Sequence, residues 1–572
     1  MPRLTLIPPL LAALLAFAPA GGASAQEAAE DAGAYLAARV AESQSDYRES
    51  AAWFARALER DPANAQLLEG AVLAALGLGD VPAAAGYAQR MVDAGADSQV
   101  AWLAIYAERA GKDEFEALVR DLGEGHTVGT MLDRLLVAWS RMGEGKMTDA
   151  LAAFDEMAKT KGLEAFGLYH KALALASAGD FEGADAILSG REAGPIAVMR
   201  RGVIAHVQIL SQLERRADAL ALLDRSFGAD PDPQVDALRA ALAGAEPVPF
   251  DVVRTPRDGV AEVFFSLASA LSGEADAGFT LLYTRIATHL RPDHVDAVLL
   301  TAELLERQGQ MDLAAETYAL VPPDSAAFHV AEVGRADTLI QSGKVDAGIE
   351  VLQSLTRSHG NLMGVHLSLG DALRREERFA DSIPAYDAAI DLIAKPDRRH
   401  WSVFYARGIS HERTGDWPKA EADFRKALEL EPDQPQVLNY LGYSFVDRGE
   451  NLEEALDMIE RAVAAQPDAG YIIDSLAWAL FRLGRYDEAV EPMERASLLE
   501  PVDPIVTDHL GDVYWAVGRK LEARFQWHRA LSFDPEEKDA TRIRRKLEVG
   551  LDKVLEEEGK PPITRAEAAN GN

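Results

Sequence analysis

Proline recurs in the C-terminal part of this chain at Pro432, Pro467, Pro501 and Pro535, separated by 35, 34 and 34 residues. Glycine follows the same spacing at Gly415, Gly449, Gly484 and Gly518, and alanine at Ala420, Ala455, Ala489 and Ala523, with a one-residue insertion near Asn451. A period of this length confines the chain to stacked copies of one small motif, because a single copy cannot bury its own apolar face. Each copy reads as a helix A, a turn at the glycine, a helix B with a small alanine where the two helices cross, and a proline where helix B must stop. Length alone would allow several globular domains; the period favours one elongated all-α array.

Two repeats carry the full lettering. From Trp401 it runs Phe404, Gly408, Gly415, Ala420, Phe424, Ala427 and Pro432; from Pro504 it runs Leu510, Gly511, Tyr514, Gly518, Ala523, Trp527, Ala530 and Pro535. These resemble tetratricopeptide repeats, and the resemblance implies a right-handed superhelical solenoid of helix-turn-helix hairpins. Weaker lettering extends it backwards through Ser45, Tyr47, Phe54, Ala57 and Pro62, then Gly79 with Ala84, Gly145 with Ala150 and Phe154, and Gly179 with Phe181 and Ala184. Gly309, Ala314, Tyr318 and Gly343 continue it, for about fourteen repeats in all, with residues 99 to 130 fitting poorly.

The chain is expected to divide into an N-terminal repeat segment at 26–244, a proline-rich break at 245–259, and a C-terminal array at 260–537. The break, AEPVPFDVVRTPRDG, has three prolines and no helical period. Residues 538–558 read as one capping helix with Ile543, Leu547, Leu551 and Leu555 on its apolar face, and 559–572 as a flexible tail.

The opening MPRLTLIPPLLAALLAFAPAGGASAQ has one cation at Arg3, an apolar run from Leu4 to Phe17, and Ala23 and Ala25 before Gln26. This pattern predicts a secretory signal peptide over 1–25, cut after Ala25, and a soluble periplasmic product. A retained membrane anchor fits less well, since the run is short and holds Pro8 and Pro9. No later stretch reaches the roughly 20 apolar residues of a membrane-spanning helix, so no transmembrane span is expected after cleavage. The absence of cysteine excludes disulfides, thiol nucleophiles, thiolate zinc sites and a lipid-bearing cysteine, so the product is expected not to be a lipoprotein.

A net charge of −34 argues against nucleic acid, whose phosphates need clustered cations. The local basic run Arg542, Arg544, Arg545 and Lys546 lies among acids and is expected to form a solvated helix face. GEGK at 143–146 is followed by Met147 instead of Ser or Thr and sits in a repeat turn, so no phosphate loop is expected. His509 and Asp512 could supply two metal ligands, with Asp474 or Asp508 as a third, and Asp508 with Asp512 could form an acid/base pair. Neither set has the partners that metal binding or catalysis requires, so no enzyme, cofactor or metal is expected.

Function is then expected in the groove. In tetratricopeptide repeats the second, fifth, sixth, ninth and twelfth places of each repeat tend to face it. Counting from Trp401, Pro435, Gly470 and Pro504 selects Tyr405, Asn439, Tyr440, Tyr443, Asp474, Trp478, Phe481, Asp508, His509, Asp512 and Trp515 as a peptide-binding face. For each aromatic, packing between neighbouring repeats competes with this role; as a group they are amphipathic anchors of the kind interfaces use. The terminal-carboxylate clamp of the family uses Lys, Asn and Arg, and here Tyr405 and Ile409 stand where its first repeat needs Lys and Asn. An acidic groove suits partners carrying Lys, Arg or backbone donors.

With the signal pattern and the blocks DSLAWALFRLGRYDEA and DHLGDVYWAVGRKLEARFQWHRAL, the chain resembles large bacterial envelope tetratricopeptide proteins that include adaptors of carboxyl-terminal processing proteases. The resemblance implies a non-enzymatic scaffold that binds envelope proteins or peptides and recruits a periplasmic protease with its cell-wall hydrolase substrates. It departs from those adaptors in lacking the lipid-bearing cysteine. The alternative is a structural subunit of an envelope assembly, such as a polysaccharide or outer-membrane protein export complex.

Overall fold

The computed structural model describes residues 22–192, 194, 196, 198–228, 232–273, 277–560 and 563, with side chains from Gly33. The expected signal segment up to Gly21 and most of the expected tail beyond Lys560 lie outside the described residues; the expected cleavage junction after Ala25 falls in the first turns of the first helix. The described residues form 31 α-helices, one short 3-10 turn and no strand.

In chain order the first hairpins are α1 (Gly22–Ser43) with α2 (Tyr47–Leu58), α3 (Ala65–Leu78) with α4 (Val81–Asp93), α5 (Gln99–Gly111) with α6 (Phe115–Gly123), and α7 (Thr130–Gly143) with α8 (Met147–Ala158). They continue with α9 (Glu164–Ser177) and α10 (Phe181–Leu188), α11 (Arg200–Gln212) and α12 (Arg216–Phe227), then the single α13 (Pro233–Ala243). After the proline-rich segment come α14 (Pro256–Leu271), α15 (Ala277–Leu290), α16 (Val295–Arg307), α17 (Met311–Tyr318), α18 (Phe328–Gln341) and α19 (Val345–Ser358). The fully lettered part follows: α20 (Met363–Arg375) with α21 (Phe379–Asp391), α22 (Trp401–Arg413) with α23 (Trp417–Leu430), and α24 (Pro435–Arg448) with α25 (Leu452–Ala465). It ends with α26 (Gly470–Arg482) and α27 (Tyr486–Leu499), α28 (Pro504–Ala516) and α29 (Lys520–Leu531), α30 (Glu537–Val549) and α31 (Leu551–Glu557). The poorly fitting stretch 99–130 is still a hairpin, with a helix B of only nine residues.

The lettering has a direct structural cause. Gly415, Gly449, Gly484 and Gly518 turn helix A into helix B with φ of 84°, 70°, 76° and 83°, a region in which a Cβ is costly. Ala420, Ala455, Ala489 and Ala523 are fully buried at the helix crossing. On helix A a further glycine admits a large ring from helix B: a Cβ on Gly511 would stand 2.4 Å from the Trp527 indole, and one on Gly408 2.7 Å from the Phe424 ring.

The chain forms two compact units, Met1–Val351 and Leu352–Asn572, so the boundary falls within α19 and not at residues 245–259. That segment serves instead as a strap across α11. Its Val248 N–H donates to Ser211 Oγ at 2.8 Å, its Val248 carbonyl accepts from Gln212 at 2.7 Å, and Asp251 exchanges two bonds with Gln208. The strap delivers α14 and α15 onto the A helices α3, α5, α7 and α9 of the same unit. A Cβ on Gly259 of α14 would lie 2.2 Å from the Trp139 indole of α7, and Arg285 of α15 donates to the Gly77 carbonyl of α3 at 2.9 Å. Tyr47 in α2 also donates to Gln308, just beyond α16, at 2.9 Å, so the first repeat of this unit meets a much later one.

In the C-terminal unit the hairpins α20 to α29 stack in sequence order, and α30 and α31 cover the last of them. The expected single capping helix is therefore two, broken at Gly550 with φ 85° and ψ 158°. Ile543, Leu551 and Leu555 are buried as expected, with Leu547 packed beside them. The basic run departs from its expected solvated face: Arg544 is exposed, but Lys546 is fully buried and Arg542 is drawn inward with it, because both face carboxylates on α28.

Candidate peptide-binding face

In the N-terminal unit the A-helix face is covered by the chain's own α14. Glu262 of α14 is buried and accepts from Tyr169 at 2.9 Å, Arg201 at 2.7 Å and His294 at 3.3 Å. Burial opposes its charge, but Arg201 and then His294 more than offset it and hold this carboxyl well below the usual range. His294 Nδ1 accepts from the Ala297 N–H, so Nε2 carries the proton given to Glu262. Next to it, Trp139 donates to His170 Nδ1 and His170 Nε2 lies 3.2 Å from Ser266; burial lowers the His170 pKa to about 4.

Every residue selected from the sequence for the peptide-binding face lies in the C-terminal unit, on α22, α24, α26 and α28. From α26 onward they satisfy one another between neighbouring A helices. His509 of α28 donates Nδ1–H to Asp474 of α26 at 3.0 Å and stacks on Trp478, with ring centroids 3.9 Å apart and planes at 11°. Phe481 stacks on Trp478 at 4.8 Å, leaving the indole buried between them. Burial alone would lower the His509 pKa, but Asp474, helped by Asp508 and Asp512, raises it, which favours the charged ring against the Trp478 face.

One helix further on, Lys546 of α30 donates to both oxygens of Asp508 and to Asp512, all at 2.6 Å, while Arg542 approaches Asp512 at 3.4 Å. Asp512 also accepts from the Trp527 indole at 2.9 Å. Burial and Asp512 push Asp508 up against the pull of Lys546. An ammonium thus stands where a metal shared by these carboxylates would have to stand. Trp515 lies 5.2 Å from Trp527 and donates to Asp552 at 2.9 Å, so it packs against the covering helices.

Between α22 and the start of α28 the face is open. A cleft of about 490 Å³ runs past Asn439, Tyr440 and Tyr443 on α24 and reaches Asp474 on α26 and Val506 on α28. Tyr405 does not line it; its half-buried ring packs on Trp401, Phe424 and Tyr440. Tyr440 donates to Glu412 at 3.3 Å. Burial, followed by the Asp474 and Asp447 charges, pushes the Tyr443 phenol well above its usual range, which marks a negative field. Asn439 is only 9% exposed, and its Oδ1 has no hydrogen-bond partner among the described residues.

The sequence count passed over several residues of this arrangement. Tyr471 and Glu412 hold the second and twelfth places of their repeats and line the cleft, so the same rule reaches them. Arg542 and Lys546 hold the fifth and ninth places counted from Lys538, the register of Asp508 and Asp512, which was the available signal for their pairing. Asp447 lies one place past the twelfth and carried no such signal.

Among the solved structures, the Cut9–Hcn1 hetero-tetramer of the APC/C aligns at 14% identity over 91% of this chain and 96% of that one, with a TM-score of 0.37. A tetratricopeptide repeat protein from Parabacteroides merdae aligns at 16% identity over 44% and 97%, with a TM-score of 0.36. A TPR repeat-containing protein of Pseudomonas aeruginosa is 29% identical over 184 residues, a match that spans 32% of this chain and 30% of that protein. The tetratricopeptide repeat family model matches residues 35–99, 282–327, 333–398, 405–470 and 475–538, together more than half of the chain. With hairpins of this geometry at each matched stretch, the chain belongs to the tetratricopeptide repeat family.

Proposed function

We propose that the chain is a non-enzymatic periplasmic adaptor that binds extended protein segments along the open A-helix face of its C-terminal unit. Its partners on this reading are envelope proteins: a carboxyl-terminal processing protease and the cell-wall hydrolases presented to it. The observation that carries the proposal is the cleft across α22, α24, α26 and the start of α28, walled by tyrosines and carboxylates. Such a surface offers rigid amphipathic anchors and polar groups for a chain lying across several helices. Holding two partners at once raises their effective concentration, which is how a scaffold without catalytic groups accelerates a cleavage. The periplasmic location rests on the signal pattern of residues 1–25, and N-terminal sequencing of the exported protein tests it.

The experiment is capture from a bacterial envelope extract on the immobilised chain, beside a Tyr443→Ala, Asp447→Ala variant, with partners identified by mass spectrometry. A serine protease and wall hydrolases lost from the variant are expected, together with faster hydrolase cleavage when the chain is added to the purified pair. An unchanged cleavage rate overturns the protease reading. Export or insertion machinery retained by the variant assigns the chain to a structural subunit instead.

A further inference from the structure

We infer that the cleft of the C-terminal unit selects a segment carrying a lysine or arginine, with that side chain seated among Tyr443, Tyr471, Asp447 and Asp474 and a backbone N–H given to Asn439. The inference rests on the peptide-binding reading and adds the chemistry of the ligand.

Asn439 supplies the first argument. It stands inside α24, where its side chain does nothing for helix propensity, and its Oδ1 is a buried acceptor without a donor. An acceptor left so costs about 1–3 kcal/mol, a cost that is removed when the amide turns outward to a peptide N–H in the cleft. Charge supplies the second. Glu412, Asp447 and Asp474 all line the cleft, and the Asp447 carboxylate makes no hydrogen bond or ion pair among the described residues, while its backbone carbonyl accepts from Arg482 at 3.4 Å. Of the two arginines of the lining, Arg413 lies over Phe379 at 4.9 Å, and Arg448 lies over Trp417 at 4.7 Å and is paired with Glu450. With Asp503 the lining holds four carboxylates against two arginines, so the cleft keeps a net negative charge.

The occupant follows from these two facts. An acidic segment or a chain terminus would place a carboxylate against like charges, and a purely apolar one would leave Asn439 unsatisfied. A lysine or arginine lays its aliphatic stem along the tyrosine faces and brings its cation to Asp447 and Asp474. The His509–Asp474 bond leaves Asp474 with free acceptor capacity, since a carboxylate has about four lone-pair sites.

Fluorescein-labelled nonapeptide pools test this, each with one fixed central residue (Arg, Lys, Leu or Glu) and uncharged residues elsewhere, titrated against the full chain by anisotropy. The Arg and Lys pools are expected to bind about tenfold more tightly than the Leu pool, with the Glu pool weakest. Asp447→Asn, an exposed position, should shrink the Arg-to-Leu ratio to about threefold without changing the Leu pool, and Asn439→Ala should weaken all pools by a similar factor. Glu429→Gln, away from the cleft, should leave the ratio unchanged; a loss equal to that of Asp447→Asn would assign the preference to the overall charge of −34 and overturn the inference. Equal binding of all four pools that is lost in Tyr443→Ala overturns basic selection while leaving the groove reading intact. No binding by any pool overturns both.

Discussion

In the N-terminal unit the A helices α3, α5, α7 and α9 are covered by α14 and α15 of the same chain, whereas in the C-terminal unit α22, α24 and α26 stay open and cover begins only at α30. The hairpins are of the same kind in both, and what differs is whether the chain supplies helices without the repeat lettering to lie across them. The comparison teaches that a repeat array does not by itself guarantee a vacant groove. The same face becomes a sealed core where Glu262, Ser266 and Arg285 bring matching polar groups to it, and stays open where Asn439 Oδ1 has no such partner among the described residues.

The strongest way to break the contrast is to unlock the sealed face. Arg201→Ala leaves the buried Glu262 carboxylate without its main counter-charge, and a loss of about 3–5 kcal/mol is expected in the N-terminal unit. Urea unfolding with proteolysis at the 245–255 strap reads it; equal loosening of the C-terminal unit would refute the contrast. Acid probes the same core. His170 and His294 are both lowered by burial, so the unfolded chain takes up protons first as pH falls. Their stabilisation is complete above about pH 6.5 and drains as pH drops towards 4, by about 3 kcal/mol for His170 alone. His509 has the opposite sign. Its raised pKa makes its contribution complete below about pH 6.5 and lost as pH rises through the folded value. Hydrogen exchange, corrected for intrinsic rates, should show α14 loosening towards acid and α28 towards base, and His509→Gln should abolish only the second.

Smaller effects test what the units share. Gly511→Ala drives a methyl group into the Trp527 ring and should cost the C-terminal unit about 1–3 kcal/mol in thermal unfolding. At two A-to-B turns the left-handed residue is a glutamate, Glu214 in one unit and Glu377 in the other, with φ of 59° and 56°. Replacing either by glycine should stabilise its unit by up to about 1 kcal/mol, and a gain in only one would show that the turns are not equivalent.

The hairpins were legible because period, turn glycine, crossing alanine and stop proline are local demands that each repeat states again. The segment 245–259 was legible as a departure but not as a strap, since its meaning lies in partners such as Ser211 and Gln208 on α11 and Arg291 just beyond α15. A clue was present in α14: PRDGVAEVFFSLASAL is apolar around most of its circumference, the pattern of a helix buried on all sides. At the site, counting placed Asp474, Trp478, His509 and Asp512 on facing sides of the neighbouring A helices α26 and α28. It could not show that neighbouring A helices satisfy them in pairs, because the count treats each repeat alone. Lys546 was misjudged for the same reason: a cation among acids reads as solvated until the helix opposite it is known to present Asp508 and Asp512.

The bond from Tyr47 to Gln308 spans 261 residues, and it sets a clock. At a synthesis rate of about 5–20 residues per second, roughly 15–50 s pass between the emergence of the two ends of that contact. Within that interval α3, α5 and α7 each emerge well before α14 and α15, the helices that will seal them. The nascent chain therefore shows apolar surface for far longer than a single hairpin needs to form.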